Sequence, residues 1–428
     1  MIIYFIYFIY FLLSLFLFVI INFLKFFNIK IFQHINNYSS SLKDVLDAIK
    51  IIDRKKTTIL LFHAASAGEF EQLKPILSKI NREKYYIIQC FTSPTIFNKE
   101  HKSNLFDICC YHPLDFFWKS YYFFKKINPQ AYIVTRHDIW PTHLLVTKIL
   151  KIKSFYINAN IHRNSVWIKP YYKFLSKIIF KNLSFCLVPS DGINKRCIEI
   201  IDKDKIYTTG DSRFDQVLER KSLNIKTILP TEFMDSKNIV FGSYDDIDES
   251  LIIESLHEIY PNGDSDLLTQ NHKLILVPHE VSEKKNINLI NKLKSINFNV
   301  VKYSEVDKNK IKSILLVDHV GILADLYKYA KLAYIGAGFS GGVHSVIEPG
   351  VHECIVSFGP NIELLEEAKY IYRHKIGFMI KNKEDLINFI TLLNNINNLD
   401  EQRLKFNKYI ASQKNASSRI IDFIESKI

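Results

Sequence analysis

The sequence predicts an α/β protein of two Rossmann-like halves facing one cleft, behind an apolar anchor helix. Three observations predict it. Residues 1–24 form an uncharged apolar run. From Thr57 onward short apolar runs alternate with amphipathic stretches, the pattern of βα units around a parallel sheet. A polar stretch over 211–237, holding Pro230 and lacking a strong period, divides these units into two sets.

As a helix rising roughly 1.5 Å per residue, the first 24 residues span about 36 Å, enough to cross a hydrocarbon core of roughly 30 Å. A cleaved signal peptide calls for a basic start and a small-residue cleavage site after a shorter apolar core, and neither is present. The run is apolar on every side, which disfavours an amphipathic surface helix, and it is long for a buried core helix. Lys25, Lys30, Lys43, Lys50, Arg54, Lys55 and Lys56 follow it and favour a cytoplasmic body. The roughly 400 residues that remain exceed one core, because single cores stop growing near roughly 250 to 300 residues. The expected organisation is an anchor at 1–30, a first domain at 31–210, a junction at 211–237, a second domain at 238–410 and a C-terminal helix at 411–428.

The formal net charge of +12 admits nucleic acid, anionic lipid or a phosphorylated substrate as partner. The chain is also rich in Ile, Lys, Asn, Phe and Tyr and holds only 13 Gly, a bias that raises the charge without a functional cause. The six cysteines (Cys90, Cys109, Cys110, Cys186, Cys197, Cys354) make no C-x-x-C pair and no zinc spacing, so reduced structural thiols are expected.

Strands are predicted at 59–63, 86–90, 131–135, 154–158 and 185–188 in the first set. The second set comprises 238–241, 273–277, 299–303, 313–317, 332–335 and 354–358. Sheets of this kind present ligand-binding loops at the carboxyl ends of their strands, so the residues just after each strand are where chemistry belongs.

The first such segment is His63-Ala64-Ala65-Ser66-Ala67-Gly68-Glu69, where a strand runs into small residues and then a helical pattern. Small side chains let a ligand approach the backbone, and a helix N-terminus offers free N–H groups. Glu69 reads either as the acid of an S-x-x-E capping box with Ser66 or as a general base facing the cleft. The second is Gly336-Ala337-Gly338-Phe339-Ser340-Gly341-Gly342-Val343-His344, followed by Ser345 and Glu348-Pro349. Its glycines suit either a structural turn or a phosphate cradle of backbone N–H groups. No G-K-[ST] follows, so it is not a Walker loop. Glu348 stands four residues beyond His344, which on a helix puts both on one face.

Three further segments follow strands. Thr92-Ser93-Pro94-Thr95 offers hydroxyls to an anion or makes a proline turn. Arg136-His137-Asp138 beside Trp140 is an ion pair over an aromatic or a polar contact to a ligand. Pro278-His279-Glu280 carries a loop histidine that is solvated or faces a ligand.

In this order, the motifs resemble the 3-deoxy-D-manno-oct-2-ulosonic acid (Kdo) transferases, membrane-associated glycosyltransferases of lipid A biosynthesis. The resemblance runs from the anchor to about Ala368. It includes Gly68-Glu69, Thr92-Ser93-Pro94-Thr95, Pro113-Leu114-Asp115, Asp138-Ile139-Trp140-Pro141, Asn158-Ala159-Asn160 with Arg163 and Ser165, and Gly210-Asp211 with Phe214-Asp215. Further on it includes Gly242-Ser243 and Leu276-Val277-Pro278-His279. Its most specific block is Val317-Asp318, Gly321, Leu323 and Leu326-Tyr327 into the glycine loop, then Glu348-Pro349 and Phe358-Gly359-Pro360-Asn361.

The resemblance implies a GT-B fold with the donor nucleotide in the C-terminal domain and no cofactor or bound metal. It implies inverting transfer of Kdo from CMP-Kdo to the 6′-hydroxyl of a lipid A precursor, at the cytoplasmic face of the inner membrane on a single-pass or monotopic anchor, with no nucleic acid involved. Carried across, Glu69 is the general base. Ser243, His279, Gly336, Gly338, Gly341, Gly342, His344, Ser345 and Glu348 fall to the donor, and Ser66, Gly68, Thr92, Ser93, Thr95, Arg136, Asp138 and Arg163 to the acceptor. Three departures stand out: His344-Ser345 where the family usually has His-Asn, no arginine after Pro278-His279, and Asn160 where an alanine-arginine pair is common, with Arg163 following soon after. A GT-B transferase using a UDP-sugar on a lipid-linked acceptor, and a catalytically silent membrane-tethered binding protein, are the other readings.

Overall fold

A computed structural model describes residues 2–222, 229, 233–305 and 313–428; Pro230 of the expected junction lies outside them. The chain forms two compact units, one of Met1–Gln216 with Asn415–Ile428 and one of Val217–Lys414.

The first unit runs α1 (Ile2–Leu24), α2 (Ile29–Ile49), β1 (Thr58–Ala64), α3 (Ala67–Leu77), β2 (Tyr85–Phe91), α4 (Pro94–Glu100), β3 (Ile108–Tyr111) and α5 (Phe117–Ile127). It continues with β4 (Ala131–Thr135), α6 (Pro141–Ile149), β5 (Lys153–Ile157), α7 (Pro170–Phe180), β6 (Phe185–Val188), α8 (Asp191–Cys197) and β7 (Ile206–Thr208). Helix α9 (Ser212–Ser222) follows, in the stretch expected to lack periodicity. The strands pair in parallel in the order β3-β2-β1-β4-β5-β6-β7. Strand order reverses between β1 and β4, so their carboxyl ends flank a switch point.

The second unit runs β8 (Lys237–Tyr244), α10 (Asp246–Ile259), α11 (Asp264–Thr269), β9 (His272–Pro278), α12 (Glu283–Ser295), β10 (Val300–Lys302), β11 (Ile314–Leu316), α13 (Leu323–Leu326) and β12 (Leu332–Ile335). It closes with α14 (Ile347–Val351), β13 (Ile355–Phe358), α15 (Glu366–Arg373), β14 (Phe378–Met379), α16 (Lys383–Thr391) and α17 (Asp400–Gln413). Its sheet is also parallel, in the order β10-β11-β9-β8-β12-β13-β14, with its switch point between β8 and β12.

Every central strand falls where the sequence predicts one, because strands covered by helices on both faces are continuous apolar runs. The strands not predicted, β3, β7 and β14, all stand at or close the edges of their sheets and are two to four residues long. The expected C-terminal helix 411–428 is divided instead: α17 ends at Gln413, and α18 (Ala416–Lys427) belongs to the first unit. The Asp215 carboxylate accepts the N–H groups of Asn415 and Ser417, both at 2.7 Å, and so starts α18. Ile420, Ile421 and Ile424 then enter the core that holds Leu60, Phe70 and Ile133. All six cysteines are free thiols.

Helix α1 contains the described residues long and apolar enough to cross a membrane, Ile6–Leu24. It is not equivalent on every side, as the sequence had suggested. A stripe of Tyr7, Tyr10, Ser14 and Phe18 docks on the first unit. The Tyr10 hydroxyl donates to Asp115 Oδ2 at 2.6 Å, Asn182 Nδ2 donates to the Tyr7 hydroxyl at 2.6 Å, and Phe18 meets Phe116 and Trp118 edge-on. The residues between, among them Phe8, Leu12, Phe16, Val19 and Phe23, are exposed.

Asp115 also accepts the Thr142 N–H at 3.0 Å at the start of α6, and burial pushes its carboxyl up to about 6. The native state therefore binds this proton more tightly than the unfolded chain, where an aspartate titrates near 3.9. The stability it contributes is greatest below about pH 4 and declines as pH rises to about 6, a difference of about 2 to 3 kcal/mol. Asp115→Asn is expected to gain thermal midpoint relative to wild type between pH 4 and 7; a constant difference over that range refutes the assignment.

Candidate functional site

In the first unit the chemistry gathers at the carboxyl end of β1. Ser66 caps α3, accepting the Glu69 N–H at 3.4 Å, while Glu69 Oε2 accepts the N–H groups of Ala65 at 2.8 Å and Ser66 at 3.2 Å. The capping box and the functional reading are thus compatible: one carboxylate oxygen holds the turn, and Oε1 has no hydrogen bond among the described residues. Burial, then the neighbouring Asp138 charge, push the Glu69 carboxyl above the ordinary glutamate range.

Asp138 arrives from the loop after β4. Its Oδ2 lies 2.5 Å from His63 Nε2 on β1, and although burial opposes it, this bond holds the Asp138 carboxyl below its ordinary value. The His63 ring stacks on His112 at 3.8 Å, and the Tyr132 hydroxyl lies 3.0 Å from His112 Nε2. Burial lowers the affinity of His112 and His143 for a proton, His143 to about 3, so both imidazoles are neutral at physiological pH. Sequence reasoning passed over this imidazole cluster. Its signal was the histidine heading the His63 to Glu69 segment and the one preceding Pro113-Leu114-Asp115.

The other expected acceptor residues are placed unevenly. The Ser93 N–H donates to the Ala65 carbonyl at 3.3 Å, joining the Thr92-Ser93 turn to the Glu69 loop, and His34 of α2 meets the Thr92 carbonyl at 2.8 Å. Thr95 is exposed on α4, and Gly68 has open space where a Cβ would stand. Arg136 adopts φ 64° directly after β4, a left-handed conformation uncommon outside glycine, and its Nε lies 3.1 Å from His137 Nε2. Arg163 is exposed beyond β5, and no hydrogen bond or ion pair joins it to Glu69 among the described residues.

In the second unit, Ser243 Oγ lies 3.0 Å from His279 Nδ1, and the His279 ring stacks on His344 at 4.7 Å. Three expected donor residues from the ends of β8, β9 and β12 therefore meet at one switch point. No hydrogen bond or ion pair joins Glu348 to them among the described residues. His344 stands in the loop before the short α14, so helical spacing does not relate the two. Burial raises the Glu348 carboxyl, and the charged groups acting on it are Arg220 and Asp325.

The four loop glycines also divide. A Cβ on Gly336 would lie 2.3 Å from Tyr244 Cα, and one on Gly338 would lie 2.5 Å from Gly359 Cα. Both are small because backbone passes against them; the Gly336 N–H donates to the Gly242 carbonyl, whereas that of Gly338 has no acceptor among the described residues. Gly341 and Gly342 have no such crowding, and Gly342 has φ 113°. The cradle is narrower than the sequence suggested: the N–H groups of Ser340 and Gly342 donate to the Ala337 carbonyl and that of Val343 to Asn361. Gly341, His344 and Ser345 keep N–H groups without an acceptor among the described residues. Asp248, not singled out from sequence, and Asn361, the last residue of the Phe358-Gly359-Pro360-Asn361 match, hold the loop. Asp248 accepts from the Ala337 N–H at 2.7 Å and the Tyr334 hydroxyl at 2.6 Å, and Asn361 Nδ2 donates to the Ser340 carbonyl at 3.0 Å.

A family model described as 3-deoxy-D-manno-octulosonic-acid transferase (kdotransferase) matches residues 40–216. The chain is 24% identical over 415 residues to a 3-deoxy-D-manno-octulosonic acid transferase of Chlamydia trachomatis, covering 93% of this chain and 92% of the relative. It is 26% identical over 364 residues to a bifunctional glycosyltransferase/methyltransferase of Fusobacterium nucleatum, covering 82% of this chain and 55% of that protein. Among solved structures it is similar in fold to a UDP-GlcNAc 2-epimerase of Neisseria meningitidis, with TM-score 0.58, 14% identity and coverage of 86% of this chain and 100% of the other. That likeness is to two Rossmann-type units, the GT-B architecture.

The glycine division is testable by thermal unfolding. Gly338→Ala is expected to cost about 1 to 3 kcal/mol, because two backbones must part, whereas Gly341→Ala is expected to stay within about 0.5 kcal/mol of wild type.

Proposed function

We propose that this chain, a glycosyltransferase that belongs to the 3-deoxy-D-manno-octulosonic acid transferase family, transfers Kdo from CMP-Kdo to a hydroxyl of a lipid A precursor with inversion at the anomeric carbon. The observation that carries the reading is the Glu69 carboxylate at the end of β1, with Oε2 fixed by two backbone N–H groups and Oε1 open. In this mechanism the acceptor hydroxyl oxygen attacks the anomeric carbon of Kdo. The bond from that carbon to the CMP phosphate oxygen breaks on the opposite side, the electron pair leaves with CMP, and the hydroxyl proton passes to Glu69 Oε1.

A base with raised proton affinity suits this step, since proton transfer is best driven by a group whose pKa lies nearer the working pH. Burial and Asp138 both act in that direction. The leaving phosphate needs donors at the position where its charge develops. In our reading these are the N–H groups of Gly341, His344 and Ser345 with the Ser243, His279 and His344 side chains. The lipid A acceptor keeps its acyl chains in the inner membrane, and α1 holds the first unit at the cytoplasmic face.

Incubating the purified full chain with CMP-Kdo and a lipid A precursor, and weighing the product by mass spectrometry, tests the proposal. A mass gain of Kdo is expected from CMP-Kdo and none from UDP-sugars; the reverse pattern overturns it. Glu69→Gln, whose amide oxygen still accepts the turn N–H groups, is expected to lower transfer by at least about 100-fold with CMP binding unchanged. Unchanged transfer removes Glu69 as base.

The pH profile carries a separate expectation. The acid limb of kcat/KM is expected above about 4.3, the ordinary glutamate value. Asp138→Asn removes a neighbouring negative charge, which lowers the proton affinity of Glu69 and moves that limb to lower pH. A shift to higher pH contradicts the coupling.

A further inference from the structure

On the first unit, away from Glu69, α2 and α5 enclose a groove of about 910 Å³. Five cations line it, Lys43, Lys50, Arg54, Lys119 and Lys126, against one carboxylate, Asp47, which Lys50 already engages at 2.7 Å. Its walls are aromatic and aliphatic, with Tyr38, Trp118, Tyr122 and Leu46. Such a volume suits one small-molecule headgroup, and the charge excess calls for an anion.

Most of the groove lies away from the candidate acceptor site, and only its near end, at Lys119, acts on His34. His34, early in α2, reaches the Thr92 carbonyl at the carboxyl end of β2, whereas the groove occupies the later part of that helix. At its far end, Arg54 donates to the carbonyls of Ile127 and Asn128, which close α5 at the edge of the sheet where strands begin. Arg54 and Lys126 thus lie at the end of the sheet opposite Glu69.

Lys119 indicates what kind of anion fits. It is half-buried, and its ammonium lies 5.5 Å from the ring of Phe18 on α1 and 5.5 Å from the ring of Tyr38 in the groove, with no carboxylate partner among the described residues. Burial without a counter-charge lowers its proton affinity. One cation therefore joins the basic groove to the apolar helix, whose Phe18 also packs on Trp118. Leu15, Phe16, Val19 and Phe23 continue an exposed apolar surface along α1. Positive charge bordering an apolar strip is the pattern that an anionic lipid satisfies at both ends. A free anion uses only the groove, and an extended polyanion leaves the strip unexplained.

We propose that this groove binds the phosphate headgroup of an anionic glycerophospholipid, whose acyl chains lie along the exposed face of α1, at a site distinct from that of the acceptor. The lipid orients the first unit on the bilayer.

The test uses the full chain in neutral maltoside micelles doped with spin-labelled phosphatidylglycerol or spin-labelled phosphatidylcholine, reading tryptophan fluorescence. Trp118→Phe identifies the quenched component among the three tryptophans. Phosphatidylglycerol is expected to quench Trp118 at a mole fraction at least tenfold below that of phosphatidylcholine. The combined Lys43→Gln, Lys119→Gln and Lys126→Gln variant is expected to lose that preference with its thermal midpoint retained. The corresponding Lys→Arg variant is expected to keep it, which separates loss of charge from loss of fold. Equal quenching by both lipids, or an undiminished preference in the Gln variant, overturns the site. Displacement of phosphatidylglycerol by millimolar inorganic phosphate makes it a free-anion pocket instead. Displacement by a lipid A precursor makes it part of the acceptor site. Either outcome overturns the proposal, and none depends on transfer activity.

Discussion

One carboxylate oxygen accepts two backbone N–H groups where β1 turns into α3, and the chemistry of the first unit depends on that contact. The orphan donors at a helix start need an acceptor, and Glu69 Oε2 supplies it. Because the contact fixes the carboxylate against its own turn, Oε1 is held in one place, without a further partner among the described residues. Asp138 and His63 complete the arrangement from neighbouring strands. Their bond keeps Asp138 charged, and that charge disfavours a second negative charge on Glu69. Two carboxylates in one environment are thereby driven in opposite directions, the usual origin of a base with raised proton affinity.

The second unit solves a different problem with glycine. At its switch point, β8, β12 and the start of the Gly359 turn bring three backbones within contact, and Gly336 and Gly338 are the residues that permit it. Asp248 then closes the loop from below through the Ala337 N–H and the Tyr334 hydroxyl. The two jobs of a glycine-rich loop, close packing and open access, thus fall on separate residues of one segment. Gly341 and Gly342 are the open ones.

The apolar N-terminal helix is not an independent appendage. Its Tyr7, Tyr10, Ser14 and Phe18 stripe carries hydrogen-bonding and aromatic groups that meet Asn182, Asp115 and Trp118. Asp115 serves α1 and the start of α6 at once, so the helix is tied to the same layer that carries the Asp138 loop. An apolar surface held against the first unit by buried polar contacts keeps a defined orientation to it, which a flexible linker does not provide.

Much of this was legible in the sequence. Alternating runs and a parallel-sheet pattern follow from local periodicity, so the central strands, the apolar helix and the Ser66–Glu69 capping pair, only three residues apart, could be read directly. The edge strands could not, since two to four residues carry too little periodicity. Nor could the Asp138–His63 bond, whose partners are 75 residues apart and meet only because β1 and β4 are neighbours in the sheet. The four glycines look alike in sequence, and only the backbones that pass two of them tell them apart. Helix α18 reads as a terminal appendage until Asp215 and the β1 core draw it back to the first unit. The sequence by itself determined which segments are helix, strand and membrane-compatible, because those properties depend on near neighbours. Tertiary structure alone decided which charges meet, which glycines are open and which face of the apolar helix is bound, because each depends on residues brought together by the order of strands.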